Sequence, residues 1–242
     1  MTSCSPVVRF QGPTVEQISL KIMPRLPYSA EAFVLHSGVK RDFIKCLGVM
    51  KQPGFRVAFF MAGKGWGKTH LAIRLAHEFA VSGMEPHCIV GSDSALLASS
   101  GGTSGKSAVL IVDDAQLYLE SLKDRGSGEF VALVEELRRK EAALILLSSL
   151  EPGHFHLDEH VLSRLKPGLG FHIEAPLEED MPELVMAMLN QRGIAVPPRK
   201  LEFVIRRMPR ELPAITDYLS RVQHLALSCG GVLDYSMLEA CL

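Results

Sequence analysis

A glycine-rich segment in the first half of the chain has the composition of a phosphate-binding loop. It consists of Gly63, Lys64, Gly65, Trp66, Gly67, Lys68, Thr69 and His70. It matches the pattern G-x-x-x-x-G-K-[ST] except at the first position, where Ala62 stands in place of glycine. Glycines let backbone N–H groups turn toward a phosphate, and the next helix adds the positive end of its dipole. Lys68 is expected to reach the β- and γ-phosphates of a nucleotide, and Thr69 to bind Mg²⁺.

Two interpretations stay open within this loop. Trp66 either covers the phosphates or packs on its neighbours. The alternative interpretation of the whole segment is a glycine-rich turn between a strand and a helix, in which the lysine has no role in phosphate binding.

An acidic pair, Asp113 and Asp114, follows the apolar run 108–112. A buried strand delivers such carboxylates to its carboxyl end, beside the phosphate loop. Asp113 is predicted to bind Mg²⁺ directly or through water, and Asp114 to orient the attacking water. The alternative is an N-cap pair that begins the next helix.

These residues need a scaffold, and the hydrophobic pattern predicts one. Short apolar runs alternate with helical patterns up to residue 176, which indicates an α/β fold with a parallel sheet sandwiched by helices. Beyond residue 176 only helical patterns follow. We therefore predict a flexible leader over 1–28, a nucleotide-binding α/β domain over 29–176 and a small all-helical lid over 177–242.

The composition limits the classes of protein. A net charge of −1 and a pI of about 6.8 give the surface as a whole no attraction to DNA. The five cysteines are scattered without CxxC spacing, which is typical of reduced thiols. The sequence has neither a signal peptide nor an apolar stretch of about 18 residues. We expect a cytoplasmic protein that does not enter a membrane.

The motifs resemble those of the AAA+ ATPases, in particular the DnaA-type branch and its Hda group of DnaA-related regulators. The run 67–71, Gly-Lys-Thr-His-Leu, is similar to the exit of that branch's phosphate loop, and 113–116, Asp-Asp-Ala-Gln, to its acidic strand end. The resemblance covers the chain from about Gln17 onward. It implies ATP or ADP with Mg²⁺ as the ligand.

The resemblance also assigns roles outside the loop. Arg164, in Ser-Arg-Leu, resembles an arginine finger that reaches a neighbouring subunit's nucleotide, and Arg210 resembles the sensor arginine of the lid. Ser148 or Ser149 would be the polar sensor that ends the fourth strand, although Leu150 replaces an expected acidic residue. Phe33 and Val34 resemble the segment beside the adenine, where Val39 replaces an expected asparagine. A plain surface position is the alternative for both arginines.

The leader contains a peptide that resembles the segment with which such regulators dock on the DNA sliding clamp. Its residues are Gln17, Ile18, Ser19, Leu20, Lys21 and Ile22. The glutamine would bond at the rim of a cleft while Leu20 and Ile22 fill apolar pockets. The alternative is a leader that packs on its own domain.

The resemblance names the DnaA initiator and the sliding clamp as partners, and it is compatible with a homo-oligomer. The chain ends at Leu242 without the double-stranded DNA-binding domain of an initiator, and only the short segment 91–106 fills the place of an initiator's extra helices. Both observations favour a regulator that promotes hydrolysis of DnaA-bound ATP.

Two rival functions stay open: a helicase loader or remodelling ATPase, and an adaptor that holds nucleotide without catalysis. Two weaker clusters have alternatives of their own. His154, His156 and His160 could bind a metal or simply form a polar loop. The basic run 138–140 either contacts DNA or complements a helix dipole.

Overall fold

A computed structural model describes residues 33–93, 107–155, 157–166, 168–229 and 233–242. In chain order the elements are α1 (Ser37–Met50), β1 (Arg56–Met61), α2 (Lys68–Val81), β2 (Glu85–Val90), β3 (Ala108–Asp113), α3 (Ala115–Arg125), α4 (Gly128–Arg139), β4 (Ala143–Ser148), α5 (Glu159–Leu165), β5 (Leu169–His172), α6 (Met181–Gln191), α7 (Pro198–Ile205), α8 (Leu212–Ser228) and α9 (Tyr235–Ala240). Single 3₁₀ turns lie at Pro152–His154 and Glu178–Asp180. The predicted clamp peptide and leader lie outside the described residues.

The strands form one parallel sheet in the order β2–β3–β4–β1–β5. β3 and β4 are buried along their whole length, which is why both are continuous apolar runs. Met61 pairs with Ser148 and Val90 pairs with Asp113, so the carboxyl ends of four strands share one edge of the sheet. The phosphate loop and the acidic pair both leave from that edge. The predicted α/β fold with a helical C-terminal part is confirmed.

Two apolar layers cover the faces of this sheet. Leu110 and Leu144 point into a layer that includes side chains of α3, α4 and α5. Ile111 and Ile145 point into the opposite layer, which includes side chains of α1 and α2. The alternation follows the period of two along each strand. The site therefore rests on a strand edge that is held from both sides.

The helices from α6 to α9 enclose a third apolar cluster of their own, centred on side chains such as Ile215 and Tyr218. Tyr218 is almost fully buried, and its hydroxyl donates to the Leu238 carbonyl at 3.1 Å. This bond ties α9 back to α8. The lid is thus a small body with its own core, and the predicted boundary after residue 176 falls in the connection that leads to it.

The segment before α1 joins the two bodies. The helix-like pattern of residues 29–49 predicts a helix there, whereas residues 33–36 belong to no helix or strand, His36 N donates to the Val34 carbonyl at 3.0 Å, and α1 begins at Ser37. The reason is an alternation: Phe33 and Leu35 pack on the α/β core, and Val34 between them packs on the lid cluster. Neighbouring side chains that face two different surfaces in turn do not fit the period of a helix.

The first turn of α1 also fixes the connection to the lid. Asp180 Oδ2 accepts hydrogen bonds from Ser37 N at 3.0 Å, Ser37 Oγ at 2.5 Å and Leu177 N at 2.9 Å. Glu174 N donates to the Gly38 carbonyl at 3.0 Å. A Cβ on Gly38 would lie 2.4 Å from the Glu174 carbonyl oxygen. The absence of a side chain at Gly38 therefore allows the interdomain connection to lie directly against α1.

Candidate functional site

The phosphate loop connects the end of β1 to the start of α2. Gly65 and Gly67 both have φ of +83°, a left-handed conformation that glycine adopts without strain. Gly63, Lys64 and Gly65 are exposed, whereas Lys68 is only 6% exposed. Lys68 Nζ donates to the carbonyl oxygens of Ala62 and Gly63, each at 3.2 Å. The ammonium group is thus held across the loop by the loop's own backbone.

The predicted magnesium ligands meet at the base of the loop. Thr69 Oγ1 donates to Asp113 Oδ2 at 2.6 Å. Asp113 is 9% exposed, and its burial raises the pKa of the carboxyl, while the Thr69 hydrogen bond opposes that shift. A hydroxyl and a buried carboxylate are oxygen ligands of the kind Mg²⁺ prefers. Thr69 and Asp113 therefore fit a magnesium ion, which would supply positive charge beside the phosphate loop.

Asp114 connects the ends of neighbouring strands. It occupies the N-cap position of α3 with φ of +48°, yet its side chain makes no capping bond to that helix, which the structure describes in full. Its Oδ1 instead accepts from Gln116 Nε2 at 3.1 Å, and Gln116 Oε1 accepts from Ser149 N at 3.1 Å. The backbone oxygen of Asp114 lies 2.3 Å from where a Cβ on Gly91 would be. The Asp114 carboxylate is thus held at the carboxyl edge of the sheet, next to Asp113.

The hydroxyl of Ser148, the predicted sensor, closes a local turn. It donates to the Leu150 carbonyl at 2.7 Å and accepts from Leu150 N at 3.0 Å. Ser148 is 1% exposed, and its carbonyl accepts from Ala62 N at 3.1 Å. Ser148 therefore supports the start of the phosphate loop through its backbone, and its side chain shapes the end of β4.

The lid reaches the phosphate loop at two points. Pro213, in the first turn of α8, has its Cγ 3.3 Å from where a Cβ on Gly65 would be. Trp66 packs against the lid cluster, and its indole lies across Gly63, with Cδ1 3.1 Å from the equivalent Cβ position. Of the two interpretations of Trp66, the structure shows packing on neighbours. The loop thus lies at the boundary between the two bodies.

Two arginines of the lid approach this boundary differently. Arg210 is half-exposed and pairs with Glu178 at 2.8 Å, on the connection between the bodies. Arg192, at the end of α6, is half-buried and donates to the Met188 carbonyl at 2.9 Å. Burial lowers the pKa of His70 in the first turn of α2, and the charge of Arg192 lowers it further. Arg192 therefore faces the helix that follows the phosphate loop.

Nothing in the sequence pattern singles out Arg192, because a cation before Gly193 is typical of an ordinary helix end. The adenine-side segment holds another unpredicted residue, His36. It is 2% exposed, and burial lowers the pKa of its imidazole while Asp180 opposes that shift. His36 lies two residues after Val34, so it is a buried neutral imidazole next to the boundary.

Arg164 lies on α5, and its contacts are with α4. Its Nε and Nη2 bind Glu135 Oε1 at 3.2 Å and 3.0 Å, and its Nη1 donates to the His160 carbonyl at 2.9 Å. These contacts hold the guanidinium group beside α5 and α4. An arginine that serves a neighbouring subunit belongs on such an outer surface.

The weaker clusters have structural explanations. Within the described part of the chain, no group of three metal-ligating side chains comes together, and His156 lies outside it. The basic run at the end of α4 is paired with carboxylates: Arg138 with Glu135, and both Arg139 and Lys140 with Glu136. Its charge is thus locally neutralised.

A parallel sheet in this strand order, a glycine loop with Lys68 and Thr69, an acidic strand end and a helical lid together form a P-loop fold of the AAA+ type. No family model matches the chain. Sequence comparison finds the chromosomal replication initiator DnaA of Enterococcus faecalis, 24% identical over 234 residues, which cover 90% of this chain and 52% of that protein. The chain spans about half the length of the curated relatives it matches.

Solved structures give the same likeness. Domain III of Thermotoga maritima DnaA has a TM-score of 0.71 at 22% identity, over 89% of this chain and 95% of that one. AMPPCP-bound DnaA from Aquifex aeolicus has a TM-score of 0.63 at 20% identity, over 88% and 67%. The chain therefore has the AAA+ fold of DnaA domain III and is similar to DnaA in sequence. Across the described residues, every helix is too short or too polar to cross a bilayer.

Proposed function

We propose that the chain binds ATP or ADP with Mg²⁺ between the α/β domain and the lid. The observation that carries this proposal is the 2.6 Å bond between Thr69 and the buried Asp113, directly below the loop that holds Lys68. With nucleotide bound, Lys68 exchanges its bonds to the loop carbonyls for bonds to phosphate oxygens. The magnesium ion neutralises phosphate charge there. Phe33 and Val34 would contact the adenine, as their resemblance to the adenine-side segment of AAA+ proteins implies.

The protein would act as an Hda-like regulator of replication initiation in the cytoplasm. In this role it presents Arg164 to ATP bound on DnaA, promotes hydrolysis and switches the initiator off. Two observations support it: the relatives are DnaA initiators, and Arg164 lies on an outer surface formed by α4 and α5. The guanidinium group would stabilise charge that develops on the transferred phosphoryl group.

The peptide from Gln17 to Ile22 would dock on the sliding clamp and bring Arg164 close to DnaA on DNA. Our support for this step is the sequence of the peptide alone. A clamp pull-down with a Gln17→Ala/Leu20→Ala variant tests it. We expect loss of retention, and unchanged retention would remove docking from the proposal.

Calorimetric titration with ADP and ATP, with and without Mg²⁺, tests nucleotide binding. Removing one charged hydrogen-bonding partner of the phosphates costs about 1.5–3 kcal/mol, so Lys68→Ala should weaken binding by roughly 10- to 150-fold. Lys123→Ala, at an exposed position on α3, is the matched control. Wild-type protein that binds neither nucleotide would disprove the proposal.

Hydrolysis of DnaA-bound ATP in the presence of DNA-loaded clamp tests the regulatory role. Arg164→Ala should abolish the stimulation. Arg139→Ala is the control, because Arg139 is an exposed, carboxylate-paired arginine on the adjacent helix α4. Equal stimulation by wild type and Arg164→Ala would exclude an arginine finger at this position.

A non-catalytic adaptor is the second candidate, and the Asp114 geometry favours it. The Asp114 carboxylate is short and already bound to Gln116, which suits slow hydrolysis. Single-turnover ATPase rates separate the candidates. Slow turnover with no effect on DnaA indicates the adaptor, and fast turnover without any partner indicates a helicase loader or remodelling ATPase.

A further inference from the structure

The lid carries a concentration of positive charge that the nucleotide site does not use. Between Pro198 and Glu211 there are five basic residues and two acidic ones, in a chain whose net charge is −1. This segment comprises α7 and the turn after it. Such a local excess is the kind of surface on which polyanions bind.

The geometry of α7 gathers this charge on one side. Leu201 and Val204 point into the lid core, and Met208 beyond the helix end is also buried. Arg199 is exposed on the opposite side of α7, and Arg206 and Arg207 are exposed directly after the helix ends at Ile205. We call these three residues the arginine face.

The arginine face has no carboxylate partner within 4 Å among the described residues, whereas the basic run of α4 is fully paired. Arg138 and Arg139 are both bound to glutamates of their own helix, at 3.2 Å and 2.6 Å. Both segments carry an Arg-Arg pair at or just beyond a helix end. Only the pair at 206–207 leaves its charge available to an outside partner.

Aromatic contacts hold part of the arginine face rigid. The guanidinium carbon of Arg207 lies 3.8 Å from the centre of the Phe203 ring, and Arg207 Nη1 donates to the Phe203 carbonyl at 3.2 Å. Tyr235 packs edge-on against the same ring at 5.1 Å. A guanidinium group that is already ordered loses less entropy when it binds a phosphate.

We propose that the arginine face binds the phosphate backbone of double-stranded DNA without regard to sequence. Arg199 and the C-cap residue Arg206 are seven residues apart, or about 10 Å along the helix axis, a length over which one DNA strand presents about three phosphates. Arg207 lies over the Phe203 ring, and Lys200 Nζ lies 5.7 Å from the centre of the partly exposed Tyr235 ring, so a cation already occupies a face of each of these rings. Charge without stacking favours a duplex over a single strand. This proposal is independent of the role of Arg164.

Fluorescence anisotropy with a labelled 20-base-pair duplex tests the proposal, over a series of salt concentrations and with the full chain. The perturbed protein is Arg206→Ala/Arg207→Ala, and the matched control is Arg138→Ala/Arg139→Ala, which removes the same charge from α4. The first variant should bind at least tenfold more weakly. Its slope of log affinity against log salt should fall by about two. The control should stay within twofold of wild type.

Circular dichroism and ADP binding confirm that the perturbed protein remains folded, and Arg206→Ala alone, which removes an exposed side chain, repeats the measurement. An unchanged salt slope would overturn the proposal, as would an equal loss in the α4 control. Tighter binding to a single strand of the same length would overturn the choice of duplex. Binding to vesicles of anionic lipid without binding to the duplex would also overturn it.

Discussion

Gly38 and Gly48 lie on the same helix, α1, and the same substitution should have opposite effects at the two positions. A Cβ on Gly48 would meet no atom within 4 Å, and this position is exposed in the helix interior. Replacing glycine with alanine there reduces the entropy that folding must overcome. We expect Gly48→Ala to stabilise the protein by about 0.5–1 kcal/mol.

At Gly38 the new methyl group would lie 2.4 Å from the Glu174 carbonyl oxygen and 2.6 Å from that of Ala175. Both atoms belong to the backbone, so a rotamer change cannot relieve the clash. Overpacking of this kind costs about 1–3 kcal/mol. The hydrogen bond from Glu174 N to Gly38 O contributes about 1 kcal/mol more when it breaks. Gly38→Ala should therefore be about 2–4 kcal/mol less stable than wild type, and about 2.5–5 kcal/mol less stable than Gly48→Ala.

Urea unfolding followed by far-ultraviolet circular dichroism measures this difference as a shift in midpoint at constant slope. The connection at Glu174 leads to the lid, and the lid borders the proposed nucleotide site. Gly38→Ala should therefore also bind ADP more weakly than Gly48→Ala when both folded variants are measured without urea. If Gly38→Ala were as stable as Gly48→Ala, the close packing of α1 on the interdomain connection would be refuted.

Two further predictions concern the side chains that hold the site. Glu135→Gln should release Arg164 and raise stimulation of DnaA-bound ATP hydrolysis by at most about fivefold, because a partly exposed pair is a weak restraint; a decrease would mean that Glu135 holds Arg164 in its working position. Burial alone would raise the pKa of Asp180, but bonds from Ser37 and Leu177 hold it below its usual value. The stability it gives is therefore present at neutral pH and is lost as pH falls through that lowered pKa. As pH falls below about 4, the ordinary pKa of an aspartate, and through the lowered pKa of Asp180, the stability of wild type should approach that of Asp180→Asn. Equal pH profiles throughout would contradict this.

Local features of the site follow from the sequence because they depend on neighbouring residues. The loop from Gly63 to Thr69 and the acidic pair at Asp113 lie at strand ends, and apolar runs identify strand ends directly. Parallel strands end at one edge of the sheet, so the sequence predicts Thr69 and Asp113 at the same edge, while the hydrogen bond between them is known only from the structure.

Contacts between distant parts of the chain were beyond sequence reasoning. Glu135 meets Arg164, and Pro213 meets Gly65, only because of how helices pack, and no pattern along the chain encodes either pair. The helix predicted from the pattern of residues 29–49 is wrong at residues 33–36. There Phe33 and Leu35 pack on the α/β core, whereas Val34 packs on the lid. The ion pair between Arg138 and Glu135 could not be predicted either. Two residues three positions apart on a helix can pair, but each side chain can also point into solvent.

Trp66 is the sole tryptophan of the chain, and it lies where the phosphate loop meets the lid. Ultraviolet emission excited at the red edge of the absorption band therefore comes from this one boundary. If the α/β domain and the lid moved apart, the indole would become exposed to solvent and its emission would shift to longer wavelength. A nucleotide with a fluorescent ribose label would accept excitation energy from the same ring, so one cuvette could record ligand arrival and lid movement together without any engineered dye on the protein.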